Sequence, residues 1–296
     1  MSTVTGNAVV VGADGSPSSL SAVRTAAIEA VERGRPLRIV HAFIWPLLGV
    51  STGPATKGPS DMGMRDVAKH VLADAVIEAE KAAPEVRATA VIVDGAPSAV
   101  LLGESRSAVL LVIGDRGLGG FQSMVLGSVA LQSAAHAACP VLVVRGREPR
   151  TGPVLVGVDG SAGSAAAVGF AFDEAARRKT TLTALHAWNV FDAGNQQDVL
   201  PLTFEPGSLQ SEEQRLVSEA LAGWAQRYPE VTVEQELVSA RPAAALVEGS
   251  KTAQLVVTGA RGRGGFAGLL LGSVSQTVMH HAACPVAVVR ATLSDV

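Results

Sequence analysis

The chain is 296 residues long, 48% hydrophobic and 17% charged, with a formal net charge of −3 and two cysteines. This length suits two domains of ordinary size, each able to bury a core without metal or disulfide staples. The slightly acidic balance and the lack of any Lys/Arg run exclude a nucleic-acid binder that works through a broad basic face, and no apolar run approaches the roughly 20 residues of a membrane span.

The polar start of the chain leads straight into a strand and shows no signal peptide. Two cysteines are too few for a disulfide framework, so a reducing, cytoplasmic compartment is expected. In chain order, short runs of Val, Ile and Leu then alternate with helical stretches. In the first half, strands are predicted near 8–13, 37–43, 86–93, 108–113 and 141–145, and helices near 17–33, 63–83, 97–106 and 128–137. The first helix opens at Ser16-Pro17, a serine N-cap with proline in the first turn. In the second helix Val67, Val71, Leu72, Ala75, Val76 and Ala79 keep helical spacing, as do Leu216, Val217, Ala220, Leu221 and Trp224 in the other half. The unbroken apolar strands suit burial on both faces of a parallel sheet. Strand–helix alternation of this kind means an α/β, doubly wound fold, which binds ligands beyond the carboxyl ends of its strands. The stretches 44–62 and 189–210, rich in Pro, Gly and Ser, read as long loops, either lids, partner contacts or plain surface.

The two halves repeat each other at an offset of 145. Val9-Val10-Val11-Gly12-Ala13-Asp14-Gly15-Ser16 matches Val154-Leu155-Val156-Gly157-Val158-Asp159-Gly160-Ser161, and His41-Ala42 matches His186-Ala187. Over residues 106–145, 22 of 40 positions are identical to their partners, too many for chance. The period is a whole domain, giving domain 1 over 1–146, a Pro/Gly-punctuated linker over 147–153 and domain 2 over 154–296.

Gly114-Asp115-Arg116-Gly117, nine residues and Gly127-Ser128 recur as Gly259-Ala260-Arg261-Gly262, nine residues and Gly272-Ser273. Each copy lies between an apolar strand and a helix, and runs on to Cys139-Pro140-Val141 or Cys284-Pro285-Val286. Glycine lets backbone approach a ligand closely, and a helix opening at Gly-Ser aims free N–H groups at whatever the loop holds. A phosphate suits such a place. The alternative is a tight turn with no ligand, with Asp14 and Asp159 as helix caps; a ligand role is favoured because both carboxylates end a strand where the sheet's crevice opens.

A strand ending in Gly-x-Asp-Gly-Ser, a Gly-x2-Gly-x9-Gly-Ser loop and a Cys-Pro-Val strand together resemble the universal stress protein family, in its tandem two-domain, ATP-binding form. The resemblance covers nearly all of the chain outside the two long loops. It implies two five-stranded parallel sheets of order 3-2-1-4-5, Rossmann-like, and ATP bound in each half, with magnesium at the phosphates. Carried onto this sequence, Gly114, Gly117, Gly127 and Ser128 would hold phosphates with Arg116 beside them. Asp14 would lie near the ribose and phosphates, and Ala13 and Ala42 would flank the adenine. The second half supplies Val158, Asp159, Ala187, Gly259, Arg261, Gly262, Gly272 and Ser273. One departure is Asp115 facing Ala260, since a carboxylate turned into the loop would repel phosphate. The resemblance further implies pairing of the terminal strands Val141–Arg145 and Val286–Arg290, and a homodimer is expected.

Other residues read blandly. Cys139 and Cys284 suit small buried positions rather than redox or metal roles. His41 and His186 read as satisfied histidines at a strand end, and His280-His281 lacks a second ligand pair at zinc spacing. A phosphoryl-transfer enzyme lacks its parts here: there is no Gly-x4-Gly-Lys-[Ser/Thr] loop, no paired acids for two metals and no nucleophile elbow. The expected function is therefore an ATP-binding stress-response regulator with at most slow hydrolysis. An adenylating or nucleotidyl-transferring enzyme, and a scaffold that has lost its nucleotide, stay open as alternatives.

Overall fold

The computed structural model describes residues 7–44, 59–117, 126–146, 151–188, 206–263 and 270–291. The chain divides into two compact units, 1–144 and 145–296. The first runs β1 (Ala8–Gly12), α1 (Pro17–Glu32), β2 (Leu37–Phe43), α2 (Pro59–Ala82), β3 (Ala88–Asp94), α3 (Pro97–Ser105), β4 (Ala108–Gly114), α4 (Ser128–His136) and β5 (Val141–Val144). Its strands are all parallel, in the order β3-β2-β1-β4-β5. The second runs β6 (Val154–Gly157), α5 (Ala162–Arg178), β7 (Leu182–Trp188), α6 (Pro206–Arg227), β8 (Val233–Ser239), α7 (Pro242–Gly249), β9 (Leu255–Gly259), α8 (Ser273–His281) and β10 (Val286–Val289). Its parallel order, β8-β7-β6-β9-β10, is the same arrangement.

The middle strands carry the apolar load. Val9, Val11, Leu110, Leu111 and Val112 are fully buried, as are Val154, Val156, Val256 and Val257. Against them α1 lays Ala22, Val23, Ala26, Ala27 and Ala30, small side chains that bring the helix axis close to the sheet. The outer strands β3 and β8 depart from the reading of two buried faces. None of their residues is fully buried; all are at least partly open. Their sequences show it, with Thr89 in β3 and Glu234, Gln235 and Glu236 in β8.

Two helices start earlier than the apolar spacing suggests. α2 begins at Pro59 and α6 at Pro206, each inside a stretch expected to be loop. Proline costs little there, since the first N–H groups of a helix have no intrahelical acceptor. The remainder of those expected loops, 45–58 and 189–205, lies outside the described residues.

Equivalent helices are fastened by different chemistry. Arg24 of α1 reaches Glu78 of α2 at 3.1 Å. In the second unit Phe172 of α5 stacks with Trp224 and Tyr228 of α6, with ring centroids 5.9–6.4 Å apart. Gly169 stands where Arg24 stands in the first unit, and a Cβ there would collide with the Trp224 indole. Both units share a buried i,i+4 ion pair, Glu29–Arg33 at 3.1 Å and Glu174–Arg178 at 2.9 Å.

Candidate functional site

In each unit the site is built where β1 or β6 ends. The strand passes its last hydrogen bond to its neighbour through Ala13, whose N–H donates to Val40 at 2.9 Å, or Val158, whose N–H donates to Leu185 at 2.9 Å. The chain then turns through a glycine with positive φ, Gly15 at 86° or Gly160 at 75°. A residue with a side chain is strained in that region, whereas glycine is not. Ser16 and Ser161 follow as N-caps, their Oγ atoms accepting from Ser19 and Ser164 at 3.1 Å.

This turn fixes the two aspartates. Asp14 Oδ1 accepts from the N–H of Ser16 at 2.9 Å, and Asp159 Oδ1 accepts from that of Ser161 at 2.9 Å. The other oxygen of each carboxylate faces the glycine loop. A Cβ on Gly117 would stand 2.6 Å from Asp14 Oδ2, and one on Gly262 would clash with Asp159 Oδ2. Each aspartate is therefore both a local turn ligand and a wall of the loop. The capping serine lies two residues further on, so the aspartate itself is not the N-cap.

The loop closes on itself at its far end. Gly127 N–H donates to the carbonyl of Asp115 at 2.7 Å, and Gly272 N–H to that of Ala260 at 2.8 Å. Arg116 and Gly127, eleven positions apart along the chain, become neighbours. Gly127 and Gly272 are also the N-cap residues of α4 and α8, and neither helix has a side-chain cap. Ser128 and Ser273, the first helical residues, are exposed. First-turn N–H groups of an uncapped helix carry its positive end outward.

Gly114 and Gly259 have a different reason to be glycine. A Cβ at Gly114 would lie 2.8 Å from the backbone of Ser18 in α1, and one at Gly259 would lie 2.6 Å from the backbone of Gly163 in α5. Close approach of the helix start to the strand end requires glycine there whatever the loop holds. Ala42 and Ala187 are partly open near the ends of β2 and β7, beside buried Ala13 and Val158. So the residues singled out from the sequence gather, unit by unit, at the carboxyl end of one sheet.

The histidines are tied into the frame. Nδ1 of His41 donates to the carbonyl of Ala13 at 2.8 Å, and Nδ1 of His186 to that of Val158 at 2.6 Å. A carbonyl only accepts, so the ring proton of each lies on Nδ1. His186 is buried and its Nε2 meets Glu213 Oε2 at 2.8 Å. Burial pushes the thiols of Cys139 and Cys284 up to about 12, so neither is a nucleophile at neutral pH.

Asp115 is the point where the two loops part. Its carboxylate is turned onto α1, where Ser18 Oγ donates to Oδ1 at 2.7 Å, and Nε of Arg116 lies 3.6 Å from Oδ2. Ser18 also receives the N–H of Arg116 at 3.4 Å. In the second unit the matching residues are Gly163 and Ala260, and the loop backbone at Arg261 fills the place a Cβ on Gly163 would need. There the N–H of Arg263 donates to Asp159 Oδ2 at 3.1 Å. Sequence reading passed over Ser18, Ser19 and Arg263. The signal for Ser18 was present in the repeat, since positions 18 and 115 both differ from their partners 163 and 260.

Among the described residues no three His, Cys, Asp or Glu side chains gather as a metal-binding group. A divalent cation at either crevice would therefore have one protein carboxylate, Asp14 or Asp159, and take its other oxygens from a ligand or water, as magnesium commonly does.

Two doubly wound units, each with a strand-tip aspartate facing a closed glycine loop, define a tandem α/β protein with its crevices at the carboxyl ends of the sheets. Comparison with known proteins makes this specific: the model of the universal stress protein family matches residues 7–145 and again 151–290, and the chain belongs to that family. A universal stress protein of Mycobacterium tuberculosis is 40% identical over 303 residues, covering 97% of each chain. Another, from Mycobacterium bovis, is 39% identical over 292 residues, covering 95% of this chain and 96% of its own. In fold, a crystal structure of a universal stress protein from Archaeoglobus fulgidus superposes with a TM-score of 0.69 at 19% identity, covering 98% of each chain.

Proposed function

We propose that each unit binds ATP with magnesium, and that the chain is a nucleotide-responsive regulator of a stress response with little or no turnover. One observation carries this reading. In both units a strand-tip aspartate, a glycine turn and the uncapped start of a nine-residue helix converge on one loop. The helix starts and Gly117 or Gly262 would take the phosphates, with Arg116 or Arg261 as the cation. Asp14 and Asp159 would meet the magnesium or the ribose, and the adenine would lie against Ala13 and Ala42, or Val158 and Ala187. Absence of turnover fits the residues present, because no lysine stands in the loop and each histidine Nδ1 is already committed to a carbonyl. A homodimer and a cytoplasmic setting belong to the same proposal.

The test is denaturing extraction of nucleotide from freshly purified protein, followed by a thermal titration with ATP and magnesium. Ligand at 100 times its dissociation constant stabilises by roughly 2.7 kcal/mol, a melting shift of a few degrees for a chain of this size. Recovered ATP and an upward shift are expected. No nucleotide and no shift would reduce the loops to turns, and steady release of AMP and pyrophosphate would make the chain an enzyme.

A further inference from the structure

Granted a nucleotide in each crevice, the two loops do not meet it equally, because they are not electrically alike. In the first, the side chains of residues 114–118 carry one negative and one positive charge, Asp115 and Arg116. In the second, residues 259–263 carry two positive charges, Arg261 and Arg263, and no acid. The structure sharpens this difference. Asp115 is buried at the start of α1, held by Ser18 Oγ at 2.7 Å, and its second oxygen lies 3.6 Å from Nε of Arg116. An acid so placed answers the positive end of α1 and draws the loop's one cation toward itself.

The second loop has neither constraint. Ala260 replaces the acid, Gly163 replaces the serine, and Arg261 and Arg263 are both exposed. Among the described residues neither arginine forms an ion pair. Arg263 is nonetheless positioned: its N–H holds Asp159 Oδ2 at 3.1 Å, and its guanidinium lies over the turn at Gly160, where a Cβ would collide with Nη2. A planar guanidinium at the lip of the crevice is suited to phosphate oxygens, two at a time. By sequence the matching residue of the first half is Leu118, which has no such chemistry.

We infer that the two sites are unequal, the second being a polyphosphate site whose affinity Arg263 sets, the first binding the same nucleotide more weakly. The class of ligand that separates them is the nucleoside triphosphate, since each added phosphate meets two cations with no ion pair among the described residues in one loop, and a cation drawn toward Asp115 in the other. Because both arginines are exposed, the tighter binding is also the more salt-sensitive.

Calorimetric titration of the full chain with ATP and with AMP, each with magnesium, tests this directly. ATP is expected to bind in two phases separated by about tenfold or more, the factor that one charge-assisted contact of about 1.4 kcal/mol produces. Arg263→Leu should weaken the tight phase by about that factor and change AMP binding by less than about twofold. Removing the acid and its holder together, with Ser18→Gly and Asp115→Ala, should strengthen the weak phase. Two ATP sites of equal affinity, or a tight phase untouched by Arg263→Leu, would overturn the inequality while leaving nucleotide binding in place. No ATP uptake by the unaltered protein would instead overturn the reading on which it rests.

Discussion

The first and second units place their backbones alike but hold them with different side chains. At the loop, the first unit uses a polar tie, Ser18 to Asp115, where the second uses direct backbone contact between Gly163 and the Arg261 carbonyl. Under the helices, the first joins α1 to α2 with the Arg24–Glu78 ion pair, while the second stacks Phe172, Trp224 and Tyr228. The common elements are the ones a turn or a close approach cannot do without: positive φ at Gly15 and Gly160, and no side chain at Gly114 and Gly259. A duplicated fold thus tolerates exchange of whole contact sets while its glycines stay fixed by geometry.

The largest break should come from Phe172→Ala, which gives the second unit the alanine that stands at Ala27 in the first. Phe172 is fully buried, so loss of its ring should cost about 3–5 kcal/mol. Hydrogen exchange should rise in β6 and β9 and leave β1 and β4 little changed. Next, Gly114→Ala and Gly259→Ala should each cost about 1–3 kcal/mol, because the colliding atoms are backbone and do not move aside. Urea unfolding of the two variants should show similar losses, one in each unit. If only one of them suffers, the helix-approach explanation for these glycines is wrong.

A smaller effect is expected from Asp115→Ala alone. It leaves the Ser18 hydroxyl without its acceptor, at about 1–2 kcal/mol to the first unit. The reciprocal change, Ala260→Asp, has no hydroxyl to meet in the second unit and should not stabilise it. Smallest of all, Arg24→Ala should leave stability nearly unchanged, since the pair is partly exposed and screened. Thermal melts of that variant should stay within a few degrees of the parent, in contrast to Phe172→Ala.

Much of the fold was legible in the sequence because it is written in periodic patterns. Alternation of apolar strands and helices, repeated at one offset, points to two parallel α/β arrangements, and the strand orders agree. The starts of α2 and α6 were not legible, since Pro59 and Pro206 lie in Pro- and Gly-rich surroundings that resemble loop. The openness of β3 and β8 is written in their own polar residues, Thr89 and Glu234 to Glu236, which a reading of apolar runs passes over. At the site, residues named from the motif gather at the sheet ends, yet their reasons differ in part. Gly114 is explained by helix approach, and Asp14 by both a local turn and the loop it faces. The Ser18–Asp115 tie joins residues 97 positions apart, and no local pattern announces such a contact. Only the paired change at 163 and 260 hinted at it.

Residue-resolved hydrogen exchange with and without ATP and magnesium tests the central claim most directly. The account predicts slowed exchange in both units, at Gly117, Ser128 and Val129 and at Gly262, Ser273 and Val274, where loop and helix-start N–H groups would bind phosphate. Unchanged exchange at all six amides under saturating nucleotide would contradict it.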